Sequence, residues 1–320
     1  MVKISIIIVN YNGLEHLDDC FKALNNQTYK DFETIMVDNG SKDSSVEFVQ
    51  KNFPSVKIVK LSKNLGFTGG NNAGIKAANG EYILLLNNDT YADKDFLRNY
   101  VKEAENHKGI GMFSPLVLFY YERNKINSTG LIIFKHGVGR DRGFLEDVGT
   151  EFPSEIFGAS GVSCLYKREM LEDIKLNNEY LDEDFFAYNE DLDLAFRAQL
   201  RGWKSRYVPS AKLYHKLNST SKKIPNLRLY CGERNKILFM IKDYPFKILI
   251  KFLPFIMFRQ IISLAYHLSK FRFVVIRARL DTLKLLLKFL HKRKIIQKNI
   301  LVSNKEIESW FAKVNLFAVK

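Results

Sequence analysis

Apolar and polar positions divide the first 118 residues into segments of two kinds. "KISIIIV", "FETIMVD", "VKIVKL", "EYILLL" and "GIGMFSPLVLF" are compact apolar runs of strand length. Between the early ones lie helix-like stretches at 14–24, 44–52, 70–78 and 93–105. Strands and helices in alternation predict an α/β fold with a parallel sheet of the doubly wound kind. Asp43 or Ser41 is placed to cap the second helix, and Asp93 the fourth.

From 122 to 157 the pattern fades into "RNKINSTGLIIFKHGVGRDRGFLEDVGTEF", a charged, Gly-bearing stretch without a clear period. It predicts a long functional loop or a small hairpin inside the fold. "GASGVSCLYKREML" then gives a Gly-rich turn, a short strand and a helix start. In "YNEDLDLAFRAQLRGW" a helix places Leu192, Ala195, Phe196 and Leu200 on one face, with Gly202 where a C-terminal cap belongs. "KSRYVPSAKLYHK" predicts a strand pair around Pro209.

Past residue 243 the character changes, and charge shows how. Residues 245–320 carry 16 Lys and Arg against 3 Asp and Glu, a net of +13 of the chain's +14. Residues 1–243 therefore read as a near-neutral globular body, and 244–320 as a basic amphipathic helical region. Such asymmetry points to an anionic surface, either lipid or nucleic acid. Lys247, Lys251 and Arg259 interrupt the apolar runs, which fall short of the roughly 18 residues a membrane span requires. Helices lying in the membrane interface fit better than helices crossing it. Packing on the body, or a homodimer interface, is the alternative. Nucleic acid is disfavoured, because the body is neutral and no nucleic-acid-binding motif is present. Three cysteines in no metal-like or redox-like spacing, and an N-terminus unlike a signal peptide, lead us to expect a cytoplasmic setting.

Candidate chemistry gathers at predicted strand ends. Asp38 follows "TIMV", Asp89 follows "LLLNN", and Asp191 opens a helix. Turn chemistry alone favours Asn and Asp after strands. The carboxyl edge of a parallel sheet is also where open α/β folds bind ligands. With "NLGFTGGNNAG" between the first two, three acids suggest a pocket for a nucleotide joined through phosphates to something else. Asp38 suits a base that offers an N–H donor, as uracil and thymine do, because a carboxylate only accepts. Tyr11 either packs near that base or is a turn tyrosine. Asp89 is the candidate ligand for Mg²⁺ or Mn²⁺, with His215 as an imidazole partner that suits Mn²⁺. Asp191, beside Glu190, either takes a proton from an attacking hydroxyl or complements the helix dipole. The acidic, aromatic "YLDEDFFAYNEDLDL" suits gripping sugar hydroxyls.

"SIIIVNYNG", "VDNGSKDSS", "NLGFTGGNNAGIKAANGEYILLLNNDT", "FGASGVSCLYKREML", "LDEDFFAYNEDLDLAFRAQLRGW" and "LYHKLNST" together resemble the family 2 inverting glycosyltransferases, particularly the rhamnosyltransferase-like branch. The resemblance covers about residues 3–240. It implies a GT-A fold, a UDP- or dTDP-sugar donor, dTDP-rhamnose among the candidates, and a divalent cation, Mn²⁺ or Mg²⁺. By position, Asp38 resembles the base-binding acid, Asp89 the last residue of the metal motif, His215 a metal-holding histidine and Asp191 the catalytic base. Val9, Tyr11, Gly66, Asn72 and Asn88 fall with Asp38 and Asp89 in the implied donor site. Gly161 and Glu190 fall in the implied acceptor site. Arg234 and Asn235 match a recurrent pair without an assigned role. Asn87 departs from the family motif, which usually begins with Asp, so metal binding would lean on Asp89, His215 and the diphosphate.

The implied reaction is a single displacement at the anomeric carbon, to a saccharide acceptor that the basic region suggests is lipid-linked, at the inner face of the cell membrane. The stretch from Arg123 to Phe157 is expected to help choose that acceptor. A catalytically silent nucleotide-sugar binder is the alternative, but it need not keep Asp191. A dinucleotide dehydrogenase is disfavoured because the first turn, "VNYNG", lacks G-x-G-x-x-G.

Overall fold

A computed structural model of the chain describes residues 2–217 and 224–312. In chain order the elements are β1 (Ile4–Asn10), α1 (Leu14–Asn25), β2 (Phe32–Asp38), α2 (Ser45–Asn52), β3 (Lys57–Lys60), α3 (Gly66–Ala77), β4 (Tyr82–Leu86), β5 (Thr90–Ala92), α4 (Phe96–Asn106) and β6 (Ile110–Phe119). There follow β7 (Ile126–Ser128), β8 (Leu131–Ile133), β9 (Gly139–Asp141), β10 (Glu155–Ile156), β11 (Ser163–Lys167), α5 (Arg168–Ile174), α6 (Glu190–Leu200) and β12 (Lys204–His215). The described residues end in four helices: α7 (Leu227–Asp243), α8 (Phe246–Ser269), α9 (Val274–Lys298) and α10 (Asn304–Ser309).

The main sheet has the order β10-β12-β6-β11-β4-β1-β2-β3. β3, β2, β1 and β4 are parallel, β11 is inserted antiparallel between β4 and β6, and β6 and β12 are parallel to each other. The mostly parallel α/β sheet is as expected, with β11 antiparallel in its middle and the short strands β5, β7 and β10 antiparallel to β12, β6 and β12 respectively. Period-two alternation gives each strand two buried faces. Ile4, Ile6 and Ile8 pack with α1, α2 and α4, whereas Ile7 packs with the helices of the other face. There α3 comes unusually close to β1: a Cβ on Gly74 would stand 2.3 Å from Ile7, and one on Gly70 2.7 Å from Val9. That close packing explains a Gly-rich helix and its start at Gly66 rather than residue 70, since contact overrides propensity.

Other boundaries shift for local reasons. Ser44 and Asp95 are the N-cap residues; Asp43 and Asp93 each stand one or two positions earlier and accept the N–H groups of Ser45 and Asp95. Ser41 instead accepts the N–H of Asn12. The strand pair expected around Pro209 is a single strand, β12, whose register against β6 shifts between Val208 and Lys212. Proline has no N–H for the ladder, so the irregularity absorbs it. The fading stretch contains four short strands, with β8 and β9 paired as a hairpin.

The basic region does not stand apart. Phe289 of α9 packs in the same core as Phe185, Phe196 and Phe239, 5.7 Å from the Phe185 ring. At the centre lies Lys242, with no exposure to solvent. Its ammonium meets Asp182 at 2.7 Å and also pairs with Asp193. Asp193 in turn holds Arg197 at 2.9 Å, and Lys292 of α9 pairs with Asp182 and, at 2.6 Å, with Asp184. Burial, with the Asp193 carboxylate beside it, holds the Asp243 carboxyl well above the usual carboxylate range.

α8 differs from expectation. It is an unbroken helix of 24 residues and, by length and composition alone, long and apolar enough to cross a membrane. Lys247, Lys251 and Arg259 are spread along this single helix and do not divide it. One stripe of it, Ile248, Phe252, Ile256 and Gln260, is buried, while Phe246, Met257, Phe258 and Ile261 are exposed.

Removing a buried ion-pair partner strands the opposite charges at a cost of about 3–5 kcal/mol. Lys242→Ala should therefore lower the unfolding free energy by that much, and the denaturant midpoint with it. A loss below 1 kcal/mol in equilibrium unfolding would show that the cluster contributes little to stability.

Candidate functional site

A cavity of about 430 Å³ opens where the carboxyl ends of β1 and β4 meet the starts of α3 and α6. Val9 and Tyr11 leave β1 into it, Asn87, Asn88 and Asp89 leave β4, and Glu190 and Asp191 enter from α6. The parallel strands bring these distant segments together because all of them end on one edge.

Asp89 and His215 form one wall. Asp89 Oδ1 and His215 Nε2 are 3.3 Å apart, and the side chains are nearly buried. His215 reaches this position from the end of β12, which pairs with β5 immediately after Asp89. Its Nδ1 lies 2.9 Å from Asn127 Oδ1, and the amide oxygen accepts the Nδ1 proton. Nε2 is thereby directed at the carboxylate. Asn88 is fixed beneath, donating to Asn10 Oδ1 at 2.8 Å.

Asp191 lines the same cavity from the start of α6. Its Oδ2 accepts the N–H of Gly161 at 2.9 Å and its Oδ1 that of Leu192 at 2.7 Å. Burial raises its carboxyl, the Gly161 N–H opposes the rise, and the Asp141 carboxylate adds to it. Glu190 is raised as well, by burial and then by Asp191, and its Oε2 is buried without a hydrogen-bond partner. The two acids titrate as a pair above the ordinary carboxylate range.

The loop that delivers them is strained and tightly held. Phe186, Tyr188 and Asn189 have φ of 65°, 67° and 70°, in the left-handed region that costs a non-glycine residue on the order of 1 kcal/mol. Asn235 of α7, fully buried, donates to the carbonyls of Phe185, Ala187 and Tyr188 at 2.8–2.9 Å. Arg234 donates to those of Asp184 and Phe185. This pair, without a role at the level of sequence, holds the turn from which the two acids project. Gly66 (φ 75°) closes the wall from the other side; a Cβ there would lie 2.3 Å from the Phe186 carbonyl. Asn39 secures that approach by donating to the Gly66 carbonyl and accepting the Leu65 N–H.

Val9, Tyr11, Gly66, Asn88, Asp89, Gly161, Glu190, Asp191 and His215 thus share one cavity. Two expected donor residues do not line it. Asn72 points the other way: its amide donates to Leu181 O and Glu183 Oε1 and accepts the N–H groups of Tyr180 and Leu181. With all its hydrogen-bonding capacity used inside the protein, it has none left for a nucleotide. Asp38 is nearly buried at the end of β2, where its Oδ1 accepts the N–H of Ser41, and the cavity is lined by its neighbour Asn39 instead. Asp141 on β9, Asn127 on β7, Ser160 and Arg228 line the cavity although nothing in the sequence singled them out. The last three residues of "LYHKLNST" lie outside the described residues.

As a metal site, the wall offers one carboxylate oxygen and one imidazole nitrogen. Among the described residues no group of three or more His, Cys, Asp or Glu could hold an ion. The pair fits a hard, borderline cation such as Mn²⁺ or Mg²⁺ when a bound diphosphate and water complete the sphere.

Comparison with known proteins bears on the whole arrangement. The glycosyltransferase YfnE of Bacillus subtilis (strain 168) is 28% identical over 223 residues, which are 67% of this chain and 50% of that protein. The poly-beta-1,6-N-acetyl-D-glucosamine synthase of Staphylococcus epidermidis is 24% identical over 213 residues, 65% of this chain and 48% of that one. The chain therefore spans about half the length of these relatives. Among solved structures, S. aureus TarS 1-349 in complex with UDP superposes with a TM-score of 0.53 at 16% identity, covering 92% of this chain and 90% of that one. GalNAc-T7 with UDP, GalNAc and Mn²⁺ gives 0.59 at 13% identity, over 76% and 48% of the respective chains. The pattern described as Glycosyl transferase family 2 matches residues 5–175, more than half of the sequence. The chain belongs to glycosyltransferase family 2, and its fold is that of the GT-A glycosyltransferases.

Proposed function

We propose that the protein moves a sugar from a UDP- or dTDP-sugar to a hydroxyl of a lipid-linked saccharide, with inversion, in the assembly of a cell-surface glycan. The observation that carries this reading is one cavity lined both by the Asp89–His215 pair and by Asp191. TarS has been solved with UDP and with UDP-GlcNAc, which supports a uridine donor; the resemblance to the rhamnosyltransferase-like branch keeps dTDP-rhamnose a candidate.

In this reading Asp191 accepts the proton of the attacking hydroxyl through the carboxylate that Gly161 and Leu192 N–H groups hold in place. The hydroxyl oxygen bonds to the anomeric carbon as the bond to the diphosphate breaks on the opposite face, so configuration inverts. Glu190 is raised by burial and by the Asp191 charge beside it, so a proton held by the pair is available from Glu190 to a sugar oxygen while Asp191 accepts. Tyr11 and Val9 contact the nucleotide, and Asp38 reads the N–H edge of the base only if the Asp38–Ser41 turn yields to it. Asp89 and His215 would hold Mn²⁺ or Mg²⁺, which would neutralise charge building on the departing diphosphate.

The C-terminal helices complete the proposal. α8 has a stripe packed on the core and an opposite face that is apolar and exposed. A helix bound to its own domain along one side lies on a bilayer rather than crossing it. With a net of +13 over residues 245–320, each Lys or Arg near an anionic leaflet contributes about 1 kcal/mol. The protein is then peripheral on the inner face of the cell membrane, next to a lipid-linked acceptor.

Asp191→Asn should lower kcat by about a hundred- to ten-thousand-fold while donor affinity is unchanged; wild-type turnover in the variant would end the assignment. Because the base must be ionised, the rate should rise with pH through a midpoint above the ordinary carboxylate value of about 4. Asp141→Asn removes a charge that raises Asp191, so the midpoint of the kcat profile should move to lower pH; a shift upward contradicts the geometry. Mn²⁺ should raise the thermal midpoint more with UDP than without it, and Asp89→Ala should erase that difference. An equal Mn²⁺ effect in wild type and variant would remove Asp89 from the metal site.

A further inference from the structure

On the far side of the β8–β9 hairpin from the cavity lies a cluster of cations that the proposed reaction does not use. Neighbours on a strand point to opposite faces. Asp141 of β9 lines the cavity, while Arg140 lies over the Phe134 ring, its guanidinium carbon 5.7 Å from the centroid. In the hairpin turn, His136 packs against Phe134 at 5.9 Å and meets Phe255 of α8 edge-on at 5.8 Å. One helical turn beyond Phe255 is Arg259, on the same face of α8. Arg259 Nε and His136 Nδ1 are both buried without a hydrogen-bond partner.

Lys236 of α7 approaches the same place, with Arg279 of α9 behind it. Both are answered by Glu233, which meets Lys236 at 2.6 Å and Arg279 at 3.3 Å and also accepts the hydroxyl of Ser263. Neither Arg140 nor Arg259 has an ion-pair partner among the described residues. The excess acts on His136: burial, and then the charges of Arg259, Lys236 and Arg140, push its imidazole down to about 4. Arg140 is exposed and Arg259 partly buried; a partly buried positive charge without a counter-charge is unfavourable, and an anion is what the arrangement lacks.

The rim of the cluster says what carries the anion. Phe255, Phe258, Arg259 and Ile262 form one i, i+3, i+4, i+7 stripe of α8, and Phe258 and Ile262 are exposed, at 54% and 41%. The neighbouring apolar surface continues in Ile261 and Tyr266. A free inorganic anion gains nothing from such a rim. A nucleic-acid backbone would meet exposed aliphatic side chains where it needs a track of cations.

We infer that Arg140 and Arg259, with His136 between them, bind the phosphate of an anionic phospholipid headgroup while Phe258 and Ile262 enter the acyl region beside it. This rests on the reading of α8 as a membrane-surface helix, and it extends the contact to a hairpin of the catalytic body. The phosphate takes charge-assisted hydrogen bonds from the two guanidinium groups, which are otherwise unpaired. Since Arg140 and Asp141 are consecutive, the headgroup sits directly behind the wall of the catalytic cavity.

The test uses the full chain, the double variant Arg140→Gln/Arg259→Gln, and the charge-matched control Lys247→Gln/Lys270→Gln, whose lysines are exposed on α8 and at its end. Monomeric short-chain phosphatidylglycerol, below its micellar concentration, should raise the thermal midpoint of wild type and control and leave that of the Arg140/Arg259 variant unmoved. Inorganic phosphate at equal concentration should give a much smaller rise. An equal rise in the Arg140/Arg259 variant overturns the site, and an equal rise with inorganic phosphate overturns the lipid source. Without lipid, the variant's midpoint should match or exceed that of wild type, because repulsion is relieved; this separates lost binding from lost folding. Sedimentation with phosphatidylglycerol vesicles distinguishes the two layers of the argument. If wild type fails to sediment, the membrane-surface reading itself falls. If wild type sediments but the short-chain lipid moves both proteins alike, only the headgroup site falls.

Discussion

An ammonium group sealed from water must be neutralised where it stands, and Lys242 sets that condition at the centre of this molecule. Its two carboxylates come from different places, Asp182 before the turn that leads to α6 and Asp193 within α6 itself. Satisfying the lysine therefore fixes α7 against both. Seven and eight residues earlier on α7, Asn235 and Arg234 then fall under carbonyls between residues 184 and 188. Those carbonyls belong to a turn with three non-glycine residues at positive φ, which would relax if unsupported. The position of Glu190 and Asp191 thus follows from a chain of hydrogen bonds that begins at one neutralised charge. Lys292 brings α9 into the same cluster, so the basic helices are part of this scaffold.

How much of this could be read from the residues depended on the range of the interaction. Parallel strands buried on both faces are continuous apolar runs, so their ends, and with them Asp89, were legible; Asp191 was legible from the helical period that begins at Glu190. The orientation of Asn72 was not. Successive helical positions differ by about 100° in direction, and only the packing of α3 shows that Asn72 turns towards residues 180–183. Asp38 carried the right chemistry at a strand end, yet a turn N–H uses its oxygen and the cavity passes to Asn39. Asp141 could not be found, because a three-residue strand has no period to detect. The role of Asn235 was equally hidden: its acceptors are 47 to 50 residues away.

The C-terminal region shows a different limit. Composition revealed a concentration of positive charge, but not how the apolar and basic positions of α8 are shared between the core and the outside. Ile248, Phe252 and Ile256 face inward, and the exposed surface is what remains after that commitment. A helix that passes for a membrane span by length can be held flat when one of its sides is already occupied. The information that decides between the two postures lies in α7, α9 and α10, not in α8 itself.

α6 is buried at every position from Leu192 to Leu200, whereas residues 144–150 are exposed throughout. Asp191, the proposed proton acceptor, is therefore mounted on the part of the molecule least able to vary, while the loop after the β8–β9 hairpin is exposed. Divergence to new acceptors would be expected to rewrite that loop and leave the helix alone, so that chemistry is inherited while selectivity drifts.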